Sequence, residues 1–287
     1  MTIFYHSHIA AKHLPVITEP FKELTIPNPE SCPLKNQPEN RCQTCAFQTH
    51  PGGFCRQLTD NQHNTLRTGS RWLELHRGET MSSGDLLVWP IIAISSGVLS
   101  LQHLLEDGRK SIAALFMQGD IIDMRGSASR PYGHLIALGK VRACRLSPET
   151  FEAAVVANPR AQKVAWNSLR NQAYRAMDHA ADLAKKLALE KLASFVFECR
   201  RQSTPGGENK VKIPVRRIDL ADYLGMQPET VSRGFKELQV RGIVAFEGIS
   251  NLEILDLPTL RRIANGDKHT ENLRQTDENH FKAANSG

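Results

Sequence analysis

The stretch Ile218–Val244, IDLADYLGMQPETVSRGFKELQVRGIV, constrains the fold more than any other part of this 287-residue chain. Leu220, Ala221 and Leu224 give one short helix an apolar side, and Gly225 supplies the tight turn after it. Pro228 fits the first position of a second helix, where a missing N–H costs nothing. Val231, Phe235 and Leu238, at spacings of four and three, give that helix a buried face. Glu229, Ser232 and Arg233 are then left outward near its start, with Thr230 and Lys236 beside them. Two short helices about a glycine turn, the second opening on polar residues, are the arrangement that lays a helix in the DNA major groove. The chemistry suits base edges: a carboxylate accepts from cytosine N4, a guanidinium forks onto guanine O6 and N7, and a hydroxyl serves either. The plainer alternative is a solvated ion pair between Glu229 and Arg233, which contributes only a few tenths of a kcal/mol. Arg241–Gly248 followed by Asn251–Leu255 reads as a hairpin wing, with Lys236, Arg241 and nearby amides placed for phosphate.

The rest of the chain is long enough for a second ordinary domain, and 40% hydrophobic with 23% charged residues fits folded globular protein. No run reaches the roughly 18 apolar residues of a membrane span, and the opening residues are too polar for a secretory core. A cytoplasmic protein with no membrane partner is expected. The net charge of +6 does not itself mark a nucleic-acid partner, because residues 205–247 carry seven Lys/Arg against six Asp/Glu. There is no phosphate-binding loop, nucleophile elbow or His-Glu-x-x-His pattern, so catalysis is not expected.

Between Leu73 and Leu146, short apolar runs are punctuated by Gly-Asp and Asp-Gly, the pattern of a small antiparallel β-roll. Pro148 opens a helix, Asn158-Pro159 ends it, and nothing in the sequence breaks a helical stretch from Arg160 to about Gln202. Trp166, Leu169, Ala173, Ala176, Ala180, Leu183 and Leu187 recur along it at spacings of three and four, a coiled-coil seam for a homodimer. The alternative is a helix lying on its own domain. Three alanines in the seam bury less apolar area than leucines would, so association should be weak. The expected organisation is α+β: a cysteine-containing segment over residues 1–59, a sensory β-roll over 60–158, a dimerisation helix over 159–202, a winged helix-turn-helix over 203–265 and a polar, disordered tail over 266–287.

Four of the six cysteines, Cys32, Cys42, Cys45 and Cys55, form C-x9-C-x2-C-x9-C, while Cys144 and Cys199 stand apart. A reducing cytoplasm disfavours disulfides. Four thiolates close a tetrahedral zinc site or hold a four-iron cluster, and spacing does not decide between them. Cys199, on a late helical turn, reads as core packing.

LADYLGMQPETVSRGFKELQVRGIV resembles the helix-turn-helix signature of the CRP/FNR superfamily, and ETVSR resembles its FNR-type branch. ISSGVLSLQHLLEDGRKSIAALFMQGDIID and LAKKLALEKLASFVF extend the resemblance from about residue 60 to 265. It implies a cyclic-nucleotide-binding-like β-roll, a long dimerisation helix and a winged helix-turn-helix. Glu229, Ser232 and Arg233 would read a half-site resembling TTGAT in double-stranded DNA, and a dimer would read an inverted repeat of it. The resemblance also implies an oxygen-labile [4Fe–4S] cluster on Cys42, Cys45, Cys55 and Cys144. The nine residues between Cys45 and Cys55 exceed the family's spacing, which makes Cys32 a substitute ligand for Cys55. Asp178 resembles the acidic residue through which such helices repel each other once the cluster is lost. Glu106–Lys110 resembles a surface that touches RNA polymerase in an activator. The cyclic-nucleotide branch fits less well, because Gly119-Asp120 lacks that branch's glutamate and arginine spacing, leaving Arg125 and Arg130 as ordinary surface cations. No spacing singles out His76, His103 or His134 for haem. The alternative is a cluster-free family member that responds to nitric oxide, a small ligand or its own expression level.

Overall fold

The structure, a computed structural model, describes residues 41–81, 83–105, 107–125, 133–203 and 209–267. Cys32, Glu106, Arg130 and the tail from 268 onward lie outside the described residues.

Among the described residues, seven strands build the roll. They are β1 Ser70–Leu75, β2 Ile91–Ser96, β3 Val98–Leu104, β4 Lys110–Met117, β5 Ile121–Asp123, β6 His134–Ala137 and β7 Val141–Leu146. They form two antiparallel sheets, ordered β1-β7-β2-β5 and β4-β3-β6. Side chains alternate across a strand, and β2 shows the consequence. Ile92 and Ile94 point into the core between the sheets with Leu99, Leu135, Val141 and Ala143, whereas Ile91 and Ala93 face outward. That outer face is covered by helices, so β2 is buried on both sides and reads as one apolar run.

The cover comes from segments on either side of the roll in sequence. It includes α1 Ala46–Thr49, a 3-10 turn Cys55–Gln57, α2 Asp60–Thr68, α4 Pro148–Val156 and the start of α5 Pro159–Lys185. The caps are local and legible. Thr59 and Gln62 form a reciprocal capping box on α2, Ser147 caps α4, and the Asn158 side chain accepts from the amides of Arg160 and Ala161 at the start of α5. A further short helix, α3 Ser83–Val88, interrupts the roll after β1.

The long helix is not continuous, which corrects the expectation of one stretch to Gln202. It ends at Lys185, Lys186 is extended (φ −79°, ψ 145°), and α6 Ala188–Ser203 starts afresh. No proline or glycine marks the break. It is held instead by Glu190, whose carboxylate accepts from the Leu187 amide at 2.8 Å, and by Lys186, which reaches Asp182 at 2.6 Å and Ser194 at 2.7 Å. The purpose of the break is visible in the packing. Leu192, Ala193, Phe195, Val196 and Cys199 of α6 enter one core with Leu220, Leu238, Leu252 and Ile254 of the C-terminal domain. The domain boundary therefore falls near residue 188 rather than 203, and Leu187 lies off the seam helix.

The inner face of α5 rests on the roll. Ala161, Ala165 and His179 are buried, Gln172 donates to the Ile121 carbonyl at 2.9 Å, and Arg175 pairs with Asp120 at 2.7 Å. Of the expected seam, Trp166, Ala173, Ala176, Ala180 and Leu183 are exposed along with Asp178, and Leu169 is half-buried. Tyr174 and Met177 are exposed on the same helix.

The C-terminal domain is completed by β8 Lys210–Lys212, α7 Arg217–Leu224, α8 Pro228–Val240, β9 Val244–Glu247, β10 Asn251–Ile254 and α9 Leu257–Ala264, with its strands ordered β8-β10-β9. Its core runs into the roll through Val98, Ile112, Leu115, Met117 and Leu138.

Candidate DNA-reading face and cysteine cavity

Gly225 ends α7 in the left-handed region (φ 62°, ψ 45°), the conformation for which its lack of a Cβ suits it. Pro228 stands at the first turn of α8, and Val231, Gly234, Phe235 and Leu238 face inward. Glu229, Ser232, Arg233 and Lys236 are exposed as expected, and Thr230 is half-buried. No ion pair joins Glu229 to Arg233 among the described residues. The Ser232 hydroxyl donates to the Pro228 carbonyl at 3.0 Å, which turns its lone pairs outward as an acceptor. Arg241 does not stand free for phosphate as expected: it folds back onto Glu237 within α8.

Two further residues here are structural. Arg217 opens α7 and lies over the rings of Phe235 and Phe246. Gly234 sits where α6 crosses α8, and a Cβ there would meet the Leu192 side chain at 2.3 Å. Nothing local distinguishes either from a surface residue.

The second site is a cavity of about 30 Å³ under the N-terminal segment. Cys42, Cys45, Cys55 and Cys144 all line it, with Phe47, Phe54, Leu66, Ile121, Leu146 and Phe151 supplying apolar parts of the remaining wall. Several local features bring the four together. The Cys45 amide donates to the Cys42 carbonyl at 3.2 Å, closing the C-x2-C turn, and Cys45 then caps α1. The loop turns back tightly after α1: a Cβ on Gly53 would sit 2.3 Å from the Phe47 carbonyl oxygen. Phe54 stacks on Phe151 of α4 at 5.7 Å, which pins Cys55 against the roll. Cys144 arrives on β7, directly opposite Trp72 of β1.

Burial pushes the Cys42, Cys55 and Cys144 thiols up, Cys144 to about 11, and neighbouring thiols add to the rise. Cations oppose it. Arg41 is buried, donates to the Arg67 carbonyl at 2.6 Å and to Ser70 Oγ at 3.1 Å, and favours the thiolates of Cys42 and Cys144. Arg67 lines the same cavity. Neither arginine was legible as part of a site. Among the described residues no three Cys, His, Asp or Glu side chains pinch together as ligands of one metal ion. The four thiols are instead grouped around a shared apolar space. Cys199 is buried in the C-terminal core, as its place on a late helical turn suggested. His76 and His134 are exposed on the roll surface, and His103 is half-buried.

Residues 190–263 match the family described as the Crp-like helix-turn-helix domain. The chain is 29% identical over 216 residues to the nitrogen fixation regulation protein FixK of Bradyrhizobium diazoefficiens, covering 74% of this chain and 90% of that protein. It is 24% identical over 235 residues to the transcriptional activator protein FnrL of Cereibacter sphaeroides, covering 79% and 93%. It is 26% identical over 215 residues to the fumarate and nitrate reduction regulatory protein of Salmonella typhi, covering 72% and 84%. FixK2 from Bradyrhizobium japonicum shares the fold with a TM-score of 0.55 at 22% identity, over 68% of this chain and 96% of that one. A CooA variant from Carboxydothermus hydrogenoformans does so with a TM-score of 0.57 at 17% identity, over 70% and 90%. Together with the exposed start of α8, these similarities place the chain in the CRP/FNR superfamily of DNA-binding transcription regulators, in its FNR-type branch.

Proposed function

We propose that this regulator binds a TTGAT-like inverted repeat as a homodimer while a [4Fe–4S] cluster on Cys42, Cys45, Cys55 and Cys144 is intact, and that it releases the DNA when oxygen destroys the cluster. One observation carries the reading: Cys144 of the roll lines one cavity with Cys42, Cys45 and Cys55, which lie about 90 or more residues earlier in the chain. Cys55 is among them, which supports it as the third N-terminal ligand.

The donor set fits the group. A mononuclear zinc would draw its sulfurs to about 3.8 Å from one another, given Zn–S bonds of about 2.3 Å. A four-iron cluster takes its thiolates on separate irons and suits a ring of cysteines around a shared space. Arg41 and Arg67 would offset the negative charge of four thiolates in an apolar wall. When bound, the cluster supplies an oxygen-sensitive covalent link between the N-terminal segment and β7.

The chain's own contacts would pass that state to the dimer helix. Asn158, which caps α5, also donates to the Gln57 carbonyl at 2.7 Å, within the turn that carries Cys55. Ala161 and Ala165 of α5 pack in the same cluster as Cys45, Phe47 and Phe54. The exposed Trp166, Ala173, Met177, Ala180 and Leu183 would meet a second copy, with Asp178 at the margin. Losing the dimer removes both the second half-site and the effective concentration that links the two. As an activator in the cytoplasm, the protein would meet RNA polymerase through the exposed hairpin around Asp107 and Arg109.

The test is anaerobic purification with a visible spectrum and assay of iron and acid-labile sulfide, followed by admission of air during titration with the repeat. Absorbance that bleaches together with DNA binding, and is absent in Cys144→Ala, is the expected result. A colourless protein that binds equally with and without air would establish the cluster-free alternative, with nitric oxide, a small ligand or expression level as the input.

A further inference from the structure

The roll does more than carry α5: it grips the DNA-binding domain directly. Arg77, two residues beyond the end of β1, sends Nη2 to both carboxylate oxygens of Asp219, at 2.9 Å and 2.6 Å. The Asp219 side chain is only 3% exposed and that of Arg77 31%. The other arm of the guanidinium, Nη1, donates to the Leu138 carbonyl of the roll, so the fork is braced from behind. A second pair, Lys110 to Asp222 at 2.8 Å, joins β4 to the next turn of the same helix. Around these pairs Ile112 and Leu115 of β4 share a core with Leu220, Ala221 and Leu224. The gripped element is α7, the helix on which α8 is packed.

The other end of β1 is at the cysteine cavity. Ser70 and Trp72 line that cavity, Arg41 donates to Ser70 Oγ, and Trp72 stands opposite Cys144 in the β1–β7 register. From Trp72 at the cavity, four intervening residues of extended chain, about 17 Å at about 3.3 Å per residue, lead to Arg77, the residue that holds α7. The strand is paired with β7 along its whole length, from Ser70 opposite Leu146 to Leu75 opposite Val141. A paired strand moves as a unit, so a change in Cys144 and its neighbours reaches Arg77 without passing through α5 or the dimer seam.

We infer that Arg77 and Asp219 form an interdomain clamp through which β1 carries the state of the cysteine cavity to the helix-turn-helix, a second route beside the dimer helix. Arg77 is a positioning residue: it touches no DNA and acts by setting where α7, and hence α8, lies on the roll. A buried, doubly hydrogen-bonded carboxylate–guanidinium pair has one geometry rather than many, which is what placing a helix requires. The inference rests on the cysteine cavity being the sensing site.

A double-mutant cycle on the full chain, handled anaerobically, separates the two ideas. Affinity for the inverted repeat is measured by fluorescence anisotropy in wild type, Cys144→Ala, Arg77→Gln and the double variant, with thermal melts to confirm that each is folded. The expected result is that Cys144→Ala weakens binding at least tenfold in the wild-type background and by a factor at least threefold smaller in the Arg77→Gln background, where only the dimer-helix route remains. Arg77→Lys, which keeps the charge without the fork, should restore part of that difference, and so should the exchanged pair Arg77→Asp with Asp219→Arg. Hydrogen exchange supplies a readout independent of DNA: Cys144→Ala should speed exchange in α7 only where Arg77 is present. An equal loss of affinity in both backgrounds would overturn the clamp and leave the sensing role of the cysteines standing. No loss in either background would overturn both.

Discussion

The guanidinium carbon of Arg217 lies 3.7 Å from the ring centre of Phe235 and 4.8 Å from that of Phe246. The two rings meet edge to face, 5.3 Å apart at 77°. One side chain at the start of α7 thus joins the middle of α8 to the first strand of the wing. Burial lowers the Arg217 pKa, a sign of what desolvating the charge costs, and the ring faces offset part of that cost.

Replacing Arg217 by Ala should destabilise the C-terminal domain by about 2 kcal/mol, the scale of a desolvated cation–π contact, and weaken DNA binding further by loosening the wing. Lysine should not rescue it, because an ammonium is a point charge that cannot stack as a plane. Urea titration of both variants checks this: Arg217→Lys should melt near Arg217→Ala rather than near wild type.

On the reading face the two kinds of contact separate by their sequence dependence. Arg233→Ala should cost about 1–3 kcal/mol on the cognate repeat and little on a repeat with the contacted guanine changed. Lys236→Ala should weaken binding to every sequence alike and lower the slope of log affinity against log salt by about 0.9. Titrations on both repeats at several salt concentrations discriminate them. A sequence-independent loss for Arg233→Ala would remove it from base reading.

Gly234 illustrates a helix position where alanine is not the better residue. Alanine in a helix interior normally gains about 1 kcal/mol over glycine. Here the added Cβ would stand 2.3 Å from the tip of Leu192, which is itself fully buried and would have to repack against the core. Overpacking costs about 1–3 kcal/mol, so Gly234→Ala should lower the midpoint of unfolding rather than raise it. Pairing it with Leu192→Ala should recover much of the loss, and a purely additive pair would show that the clash is absorbed elsewhere.

Much of the C-terminal domain was legible because its cues are local. Gly225 in the left-handed region, Pro228 at a first turn and the spacing of Val231, Phe235 and Leu238 each act within one turn of helix. The roll's hairpins were readable for the same reason. The break at Lys186 was not, since it carries no glycine or proline. It exists because Leu192, Phe195 and Val196 pack with Leu220 and Ile254, partners that only the folded chain supplies. Spacing alone leaves the cysteines ungrouped; the family resemblance puts Cys144 with Cys42, Cys45 and Cys55, and β7 brings it beside the N-terminal loop. Asp219 sits inside an apolar run, yet its partner Arg77 is 142 residues away, and no spacing rule spans that distance.

Asn158 serves two elements at once. Its Oδ1 accepts from the amides of Arg160 and Ala161, while its Nδ2 donates to the Gln57 carbonyl at 2.7 Å and Gln62 Oε1 at 3.1 Å. Asn158→Asp keeps the cap and deletes the donor, whereas Asn158→Ala removes both. The expectation is a loss of about 1 kcal/mol for the cap alone, seen in Asn158→Ala, and in both variants a weaker dependence of dimerisation on the cysteine site, read by analytical ultracentrifugation before and after air. Equal air sensitivity of Asn158→Asp and wild type would show that the Gln57 contact transmits nothing.

Acid should loosen the contact between α5 and α7 through His179. The residue is 8% exposed and its ring stacks on Tyr223, with centroids 3.9 Å apart and planes 6° from parallel. Burial lowers the His179 pKa and outweighs the nearby Asp182, which pulls the other way, while Lys191 adds slightly to the depression. The folded state therefore keeps the imidazole neutral at pH values where the unfolded chain has begun to protonate it. The unfolded state then binds more protons, and stability falls as pH drops below about 6.5, with the loss levelling off once pH is below the depressed folded value. Above that window both states are neutral and the residue contributes no pH dependence. His63 is depressed in the same direction, so the informative quantity is the difference between wild type and His179→Phe, a variant that keeps an aromatic ring against Tyr223. Urea midpoints at pH 8 and pH 5.5 should fall further for wild type than for His179→Phe. Parallel falls would mean that the ring is released from the interface before it is charged.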